Sequence, residues 1–181
     1  MRIALYGAAG KVGTLLEPAL RDAGHEVVDA RNAGPAGADV AVDFTRPDAV
    51  VANVESCIAA GVPVVIGTTG FDADAVDAAA RDAGVPCFYA PNFALGAVLM
   101  MRFAEEAARV FPRAEIVELH AETKRDAPSG TAKATAARMG TDPAIRHDTI
   151  SREAFVPGVL RAVECVRDLD PGLTVGLDAL L

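Results

Sequence analysis

Between residues 2 and 93, short runs dense in β-branched and other apolar residues alternate with segments of helical spacing, and this alternation limits the possible folds more than any other feature. Residues 2–6 (Arg-Ile-Ala-Leu-Tyr) lead into Gly7-Ala8-Ala9-Gly10-Lys11-Val12-Gly13, after which Thr14 to Ala23 place Leu15, Leu16, Ala19 and Leu20 at helical spacing. Similar runs recur at 26–30, 38–44, 64–66 and 85–89, separated by helical segments expected from Pro47 to about Ala60 and from Asp72 to Ala83. Strands this apolar are buried on both faces, as in a parallel sheet. Strand–helix alternation makes right-handed crossovers the expected connection. The expected class is therefore α/β, a doubly wound parallel sheet of the Rossmann type.

Strand, glycines and helix follow one another in the order that a dinucleotide site requires. Glycines let the backbone approach a pyrophosphate, and the helix N-terminus offers free N–H groups. Gly7, Ala8, Ala9, Gly10, Lys11 and Val12 are the candidate cradle, although the spacing is Gly-x-x-Gly-x-x-Gly and such a turn can also serve packing alone. At the end of the second run stand Asp29 and Arg31, where an acid favours the free ribose of NAD and a cation the phosphate of NADP. With Lys11 also in reach, NADH and NADPH both stay open as cofactors. Gly67-Thr68-Thr69-Gly70 closes the fourth run, where open sheets bind ligands, though a plain turn would read the same.

Composition removes several function classes. With 17 basic against 25 acidic residues the net charge is −8, and no basic run forms a stripe, so nucleic acid is not an expected partner. Apolar content is 51% without a run long enough to span a bilayer, and the first residues lack a signal-peptide layout, so no membrane is expected and the cytoplasm is the expected location. Cys57, Cys87 and Cys165 are widely spaced among apolar neighbours and read as buried thiols. The three histidines share no ligand spacing, so no metal is expected; His25 and His147 read as surface or structural.

The densest chemistry lies in residues 118–131, Glu-Leu-His-Ala-Glu-Thr-Lys-Arg-Asp-Ala-Pro-Ser-Gly-Thr. Residues 114–119 have a strand's composition and residues 131–139 a helix's, so His120 and Lys124 fall at a strand-to-helix joint. His120 is the group nearby that can change charge near neutral pH. Ser129, Gly130 and Thr131 open the helix with hydroxyls and free N–H groups, a receptor for an anion, expected to be a carboxylate. A helix is expected over 96–111 with Val98, Leu99, Met101, Phe103, Ala107, Val110 and Phe111 on the sheet, a strand over 144–149, and a helix from a Ser151 cap to about Arg167.

The string His-x-x-x-Lys-x-Asp-Ala-Pro-Ser-Gly-Thr-Ala resembles the active-site motif of the 4-hydroxy-tetrahydrodipicolinate reductase (dihydrodipicolinate reductase) family. The resemblance extends to both ends of the chain, the tail at 171–181 included. It implies an NADH- or NADPH-dependent reduction of a small cyclic carboxylated imine in lysine and diaminopimelate biosynthesis. His120 would be the proton donor, Lys124 the cation that meets developing negative charge, and Gly130 with Thr131 the carboxylate site capped by Ser129. Gly67, Thr68 and Thr69 would lie at the nicotinamide, with Ala90, Pro91, Asn92 and Phe93 as a second cofactor loop. The chain departs from the family twice. Ala121 stands where the family carries a second histidine, and the substrate domain between Met139 and Arg146 is reduced to a few residues. Residues 1–95, completed by 151–181, would form the dinucleotide domain and 96–150 a reduced substrate region, in a homo-oligomer for which a dimer is favoured. Two other readings are a diverged paralogue acting on a different imine or enamine, and a catalytically silent cofactor-binding protein.

Overall fold

A computed structural model describes residues 1–111, 116–117, 130–140 and 152–180. Six parallel strands form one sheet in the order β2-β1-β3-β4-β5-β6. They are β1 (Arg2–Tyr6), β2 (Glu26–Asp29), β3 (Val40–Asp43), β4 (Val64–Ile66), β5 (Pro86–Tyr89) and β6 (Gly172–Val175). Helices are α1 (Gly13–Asp22), α2 (Ala30–Ala33), α3 (Val50–Ala59), α4 (Ala73–Ala83), α5 (Leu95–Ala108), α6 (Gly130–Met139) and α7 (Val156–Cys165). The α/β doubly wound fold expected from the alternation is the fold observed.

Side chains alternate across the strands and divide the core in two. Ile3, Leu5, Val40, Val42, Val65 and Phe88 face α1, α5 and α7, where Leu16, Leu20, Val98 and Val159 meet them. Ala4, Tyr6, Ala41, Val64, Ile66 and Cys87 face the other way, against Val50, Val54 and Cys57 of α3 and Val76 and Ala80 of α4. Both layers follow from strands that are buried along nearly their whole length: all four residues of β3 and all three of β4 are inaccessible. The Cys57 and Cys87 thiols are pushed up to about 12 by that burial, which makes them packing groups. Cys165 is only half-buried, short of the burial expected for it.

Local signals set the helix ends. Asp72 caps α4 by accepting from the N–H groups of Asp74 and Ala75, each at 3.1 Å, and Gly84 ends it in the left-handed conformation at φ 68°. Helix α3 begins at Val50 and not at Pro47: residues 46–49 form a turn in which Ala49 and Val50 both donate to the carbonyl of Arg46. The helix expected from Ser151 to Arg167 divides into a 3₁₀ turn (Arg152–Phe155), α7 and a second 3₁₀ turn (Val166–Asp168), with Ser151 outside the described residues.

Two elements differ more substantially from the sequence reading. The tail forms β6, which pairs with β5 from Pro86↔Gly172 to Tyr89↔Val175 and is tied to α4 by the Leu173 N–H, which donates to Asp77 Oδ1 at 2.7 Å. On α5, Val98 and Met101 are buried as expected, but Leu99 is 41% exposed, Phe103 70%, and Ala107 is exposed too. The helix ends at Ala108, short of the expected 111, so Val110 (73%) and Phe111 (63%) lie beyond it and are exposed as well. One stripe of this helix meets the sheet; Leu99 and Phe103 face away from it. Ile116 and Val117 carry no strand, and the remainder of the strand expected at 114–119, like that at 144–149, lies outside the described residues.

Phe88 anchors the centre of the larger core layer with no exposed surface. Phe88→Ala is expected to lower unfolding free energy by about 3–5 kcal/mol, read as a lower urea midpoint at unchanged slope.

Candidate active site

The sheet order reverses at β1, with β2 on one side and β3 on the other, so the crevice beyond the carboxyl ends of β1 and β3 is the topological switch point. The chain around that crevice is tightly fitted. Gly7 follows β1 at φ 84°, and a Cβ there would lie 2.2 Å from the Phe44 carbonyl oxygen; one on Gly13 would lie 2.0 Å from the Gly7 carbonyl oxygen. Only glycine lets the turn, the head of α1 and the end of β3 come this close. Gly10 N–H donates to the Gly7 carbonyl at 2.8 Å and Thr14 N–H to the Gly10 carbonyl at 3.0 Å, closing the loop onto the helix.

A cleft of about 370 Å³ opens here. Gly10, Lys11 and Val12 form one wall, Phe44, Thr45 and Pro47 the floor, and Gly67, Thr68 and Thr69 the other wall. Six of the residues predicted to hold cofactor are thus gathered in one cavity. Phe44, Thr45, Pro47 and Phe155 line it as well without having been anticipated. The first three follow directly from β3 in sequence and so had a positional signal. Phe155 had none, since it arrives from the 3₁₀ turn before α7.

Asp29 and Arg31 do not line this cleft. They stand at the end of β2, where Asp29 caps α2, accepting from the Arg31 N–H at 3.0 Å and from its guanidinium Nη2 at 2.6 Å. Those bonds hold the Asp29 carboxyl below the usual carboxylate range and raise the Arg31 guanidinium above its ordinary value. With the folded value depressed, the pair is intact at neutral pH and is lost as pH falls through that lowered value.

The loop after β5 contributes in a different way. Asn92 Oδ1 accepts from the Ala94 N–H at 2.9 Å, which leaves Nδ2 to donate to Thr131 Oγ1, also at 2.9 Å. Thr131, one residue into α6, therefore keeps its hydroxyl hydrogen for another acceptor. Its carbonyl accepts from the buried Thr135 hydroxyl at 2.8 Å, and at the far end of α6 Arg138 pairs with Asp178 at 3.0 Å. Both ends of α6 are in this way tied to the sheet domain. His120, Lys124, Ser129 and Ala121 lie outside the described residues. Among the described residues no cluster of His, Cys, Asp or Glu has a metal-binding arrangement, and no helix is long and apolar enough to cross a membrane.

Family comparison agrees with this architecture. Residues 20–93 match the model of the dihydrodipicolinate reductase N-terminus and residues 96–144 that of the dihydrodipicolinate reductase C-terminus. The chain belongs to the dihydrodipicolinate reductase family. It is 41% identical over 244 aligned positions to a 4-hydroxy-tetrahydrodipicolinate reductase of Beutenbergia cavernae, covering 100% of this chain and 98% of the relative. A second reductase of that name, from Cutibacterium acnes, is 37% identical over 243 positions at 100% and 98% coverage. Both alignments are longer than the 181 residues available, so these relatives contain internal segments that this member of the family lacks. Among solved structures, a dipicolinate-bound dihydrodipicolinate reductase from Paenisporosarcina sp. TG-14 superposes with a TM-score of 0.84 at 28% identity, covering 100% of this chain and 99% of the other.

If the Asp29 carboxylate opposes a 2′-phosphate beside Arg31, Asp29→Ala will shift preference toward NADPH. The expected change in the ratio of NADH to NADPH dissociation constants is about tenfold. Fluorescence titration with both nucleotides reads that ratio directly.

Proposed function

We propose that this protein is an NADH- or NADPH-dependent reductase converting 4-hydroxy-tetrahydrodipicolinate to tetrahydrodipicolinate, a step of lysine and diaminopimelate biosynthesis, in the cytoplasm. The observation that carries this reading is the identity, spread over the whole chain, to reductases of that name. A glycine loop closed against the end of β3 and a cleft at the topological switch point suit a dinucleotide, which when bound supplies a hydride.

The chain's own residues divide the remaining work. Gly7 to Val12 hold the pyrophosphate with backbone N–H groups at the head of α1, the Gly10 N–H excepted since it donates to the Gly7 carbonyl, and Lys11 adds a positive charge. Gly67, Thr68 and Thr69, with Ala90, Pro91, Asn92 and Phe93, shape the nicotinamide end. Thr131, whose hydroxyl oxygen is occupied by Asn92, donates to a substrate carboxylate together with the Gly130 N–H, while Ser129 caps the helix. After the substrate loses water, a ring carbon conjugated to C=N accepts the hydride. His120 gives a proton to the charge that results, and Lys124 stabilises that charge. We assign residues 1–95 and 151–181 to nucleotide binding and 96–150 to the substrate, within a homodimer; the apolar outer stripe of α5 supports an oligomer.

A second reading, a diverged paralogue acting on a different cyclic imine, is favoured by Ala121 and by the internal segments that the relatives carry and this chain lacks. The deciding experiment follows oxidation of NADH and NADPH by absorbance with enzymatically generated 4-hydroxy-tetrahydrodipicolinate. Turnover is expected in the wild type and a loss of about 10²–10⁴-fold in kcat for His120→Ala, with a comparable loss for Lys124→Ala. Nucleotide binding without turnover on this substrate would move the assignment to the second reading.

A further inference from the structure

Asp43, the last residue of β3, has no exposed surface, yet it ends a strand that opens directly onto the cleft. Its carboxylate is surrounded by donors. Oδ1 accepts from the Thr68 hydroxyl at 2.6 Å, from the Thr45 hydroxyl at 2.8 Å and from the Thr45 N–H at 3.1 Å, and Oδ2 accepts from Asn53 Nδ2 at 2.7 Å. The Thr68 oxygen in turn accepts from the Thr45 N–H at 2.7 Å. Meanwhile the Asp43 carbonyl accepts from the Gly67 N–H at 2.9 Å. One residue therefore joins the loop after β3, the loop after β4 and the second turn of α3.

The consequence for Thr68 is specific. A threonine hydroxyl has one hydrogen, and here it is committed to Asp43, so the Thr68 side chain has no hydrogen to offer a ligand in the cleft. The segment behind it is equally constrained. The Phe44 ring fills the space where a Gly67 side chain would sit, at 2.2 Å from a built Cβ, and packs on Phe93 at 5.4 Å between centroids. A shift at Asp43 would thus reach the floor of the cleft and the wall formed by residues 67–69.

We infer that Asp43 is a positioning residue for nucleotide binding: through Thr45 and Thr68 it sets the relative placement of the two loops that form the floor and one wall of the cleft, without touching the ligand. This rests on the dinucleotide reading of that cleft. Charge-assisted bonds of this kind are strong, and losing one partner leaves the others buried without an acceptor.

The test uses full-length protein and titrates NADH and NADPH against wild type, Asp43→Ala, Asp43→Asn, Thr68→Val and the Asp43→Ala/Thr68→Val double variant, with melting curves to select folded species. Asp43→Ala and Thr68→Val are each expected to raise the dissociation constant of both nucleotides by about tenfold. The double variant should be no weaker than either single one, because both substitutions break the same connection. Asp43→Asn, which keeps an acceptor oxygen for the threonines, should retain most of the affinity. Faster amide exchange at residues 44–45 and 67–69, with β1 and β4 still protected, is the accompanying signature. Should Asp43→Ala fail to fold, amide exchange in Thr68→Val decides: weaker nucleotide binding with faster exchange at residues 44–45 supports the inference, and weaker binding with unchanged exchange there, the mark of a direct contact, overturns it. Dissociation constants within twofold of wild type in the folded variants would overturn the inference and leave the dinucleotide reading intact, as would additive losses, which would make Thr68 a direct contact. Absence of nucleotide binding in the wild type would overturn both.

Discussion

A carboxylate in the interior must be hydrogen-bonded or it is too costly to keep there, and Asp43 meets that requirement with donors drawn from three separate places in the chain. The loops that come together at the crevice are short and lack regular structure of their own. What orders them is the combination of this carboxylate, the close approach of Gly7 to the Phe44 carbonyl, and the Phe44 ring wedged between Gly67 and Phe93. The sheet supplies strands ending at the same level; the Asp43–Thr45 segment turns those ends into a cavity.

Helices α5 and α7 and strand β6 belong to the main core and sheet, whereas α6 is attached by a small apolar contact and by polar bonds at its ends. Helix α6 lies against α5, where Ala136 and Met139 cluster with Met100 and Ile116, and its two ends are held by Asn92–Thr131 and Arg138–Asp178. Arg102 of α5 also reaches the Asp178 carbonyl, so the final 3₁₀ turn (Leu177–Leu180) bears on both helices. Among the described residues, the bond from Asn92 Nδ2 to Thr131 Oγ1 joins the loop after β5 to the first turn of α6.

Much of the architecture was legible in the sequence because its signals are local. Continuous apolar runs mark β1, β3 and β4 as central parallel strands, the Gly-x-x-Gly-x-x-Gly loop marks the first crossover, and Asp72 and Gly84 punctuate α4. The candidate site was legible in part for the same reason: residues 10–12 and 67–69 follow strands directly, and strand ends are where an open sheet binds. Phe155 entered the cleft unannounced because nothing in Arg-Glu-Ala-Phe indicates where a 3₁₀ turn will be placed by the helix that follows it. Strand β6 was missed because three residues between two glycines carry too little pattern to stand out, and it exists by pairing with β5.

By itself, then, the sequence determined the fold class, the succession of strands and longer helices through residue 93, the short α2 apart, and the location of the glycine loop, since each depends on neighbours a few positions apart. Tertiary structure alone decided which apolar stripe of α5 would be buried, because an amphipathic pattern does not say which of two apolar faces the sheet will meet. It also decided that Asp43 would bind Thr68 across 25 positions and that Asn92 would reach Thr131 across 39. A hydrogen bond between distant residues has no signature in local periodicity; it is created when the sheet brings two strand ends side by side.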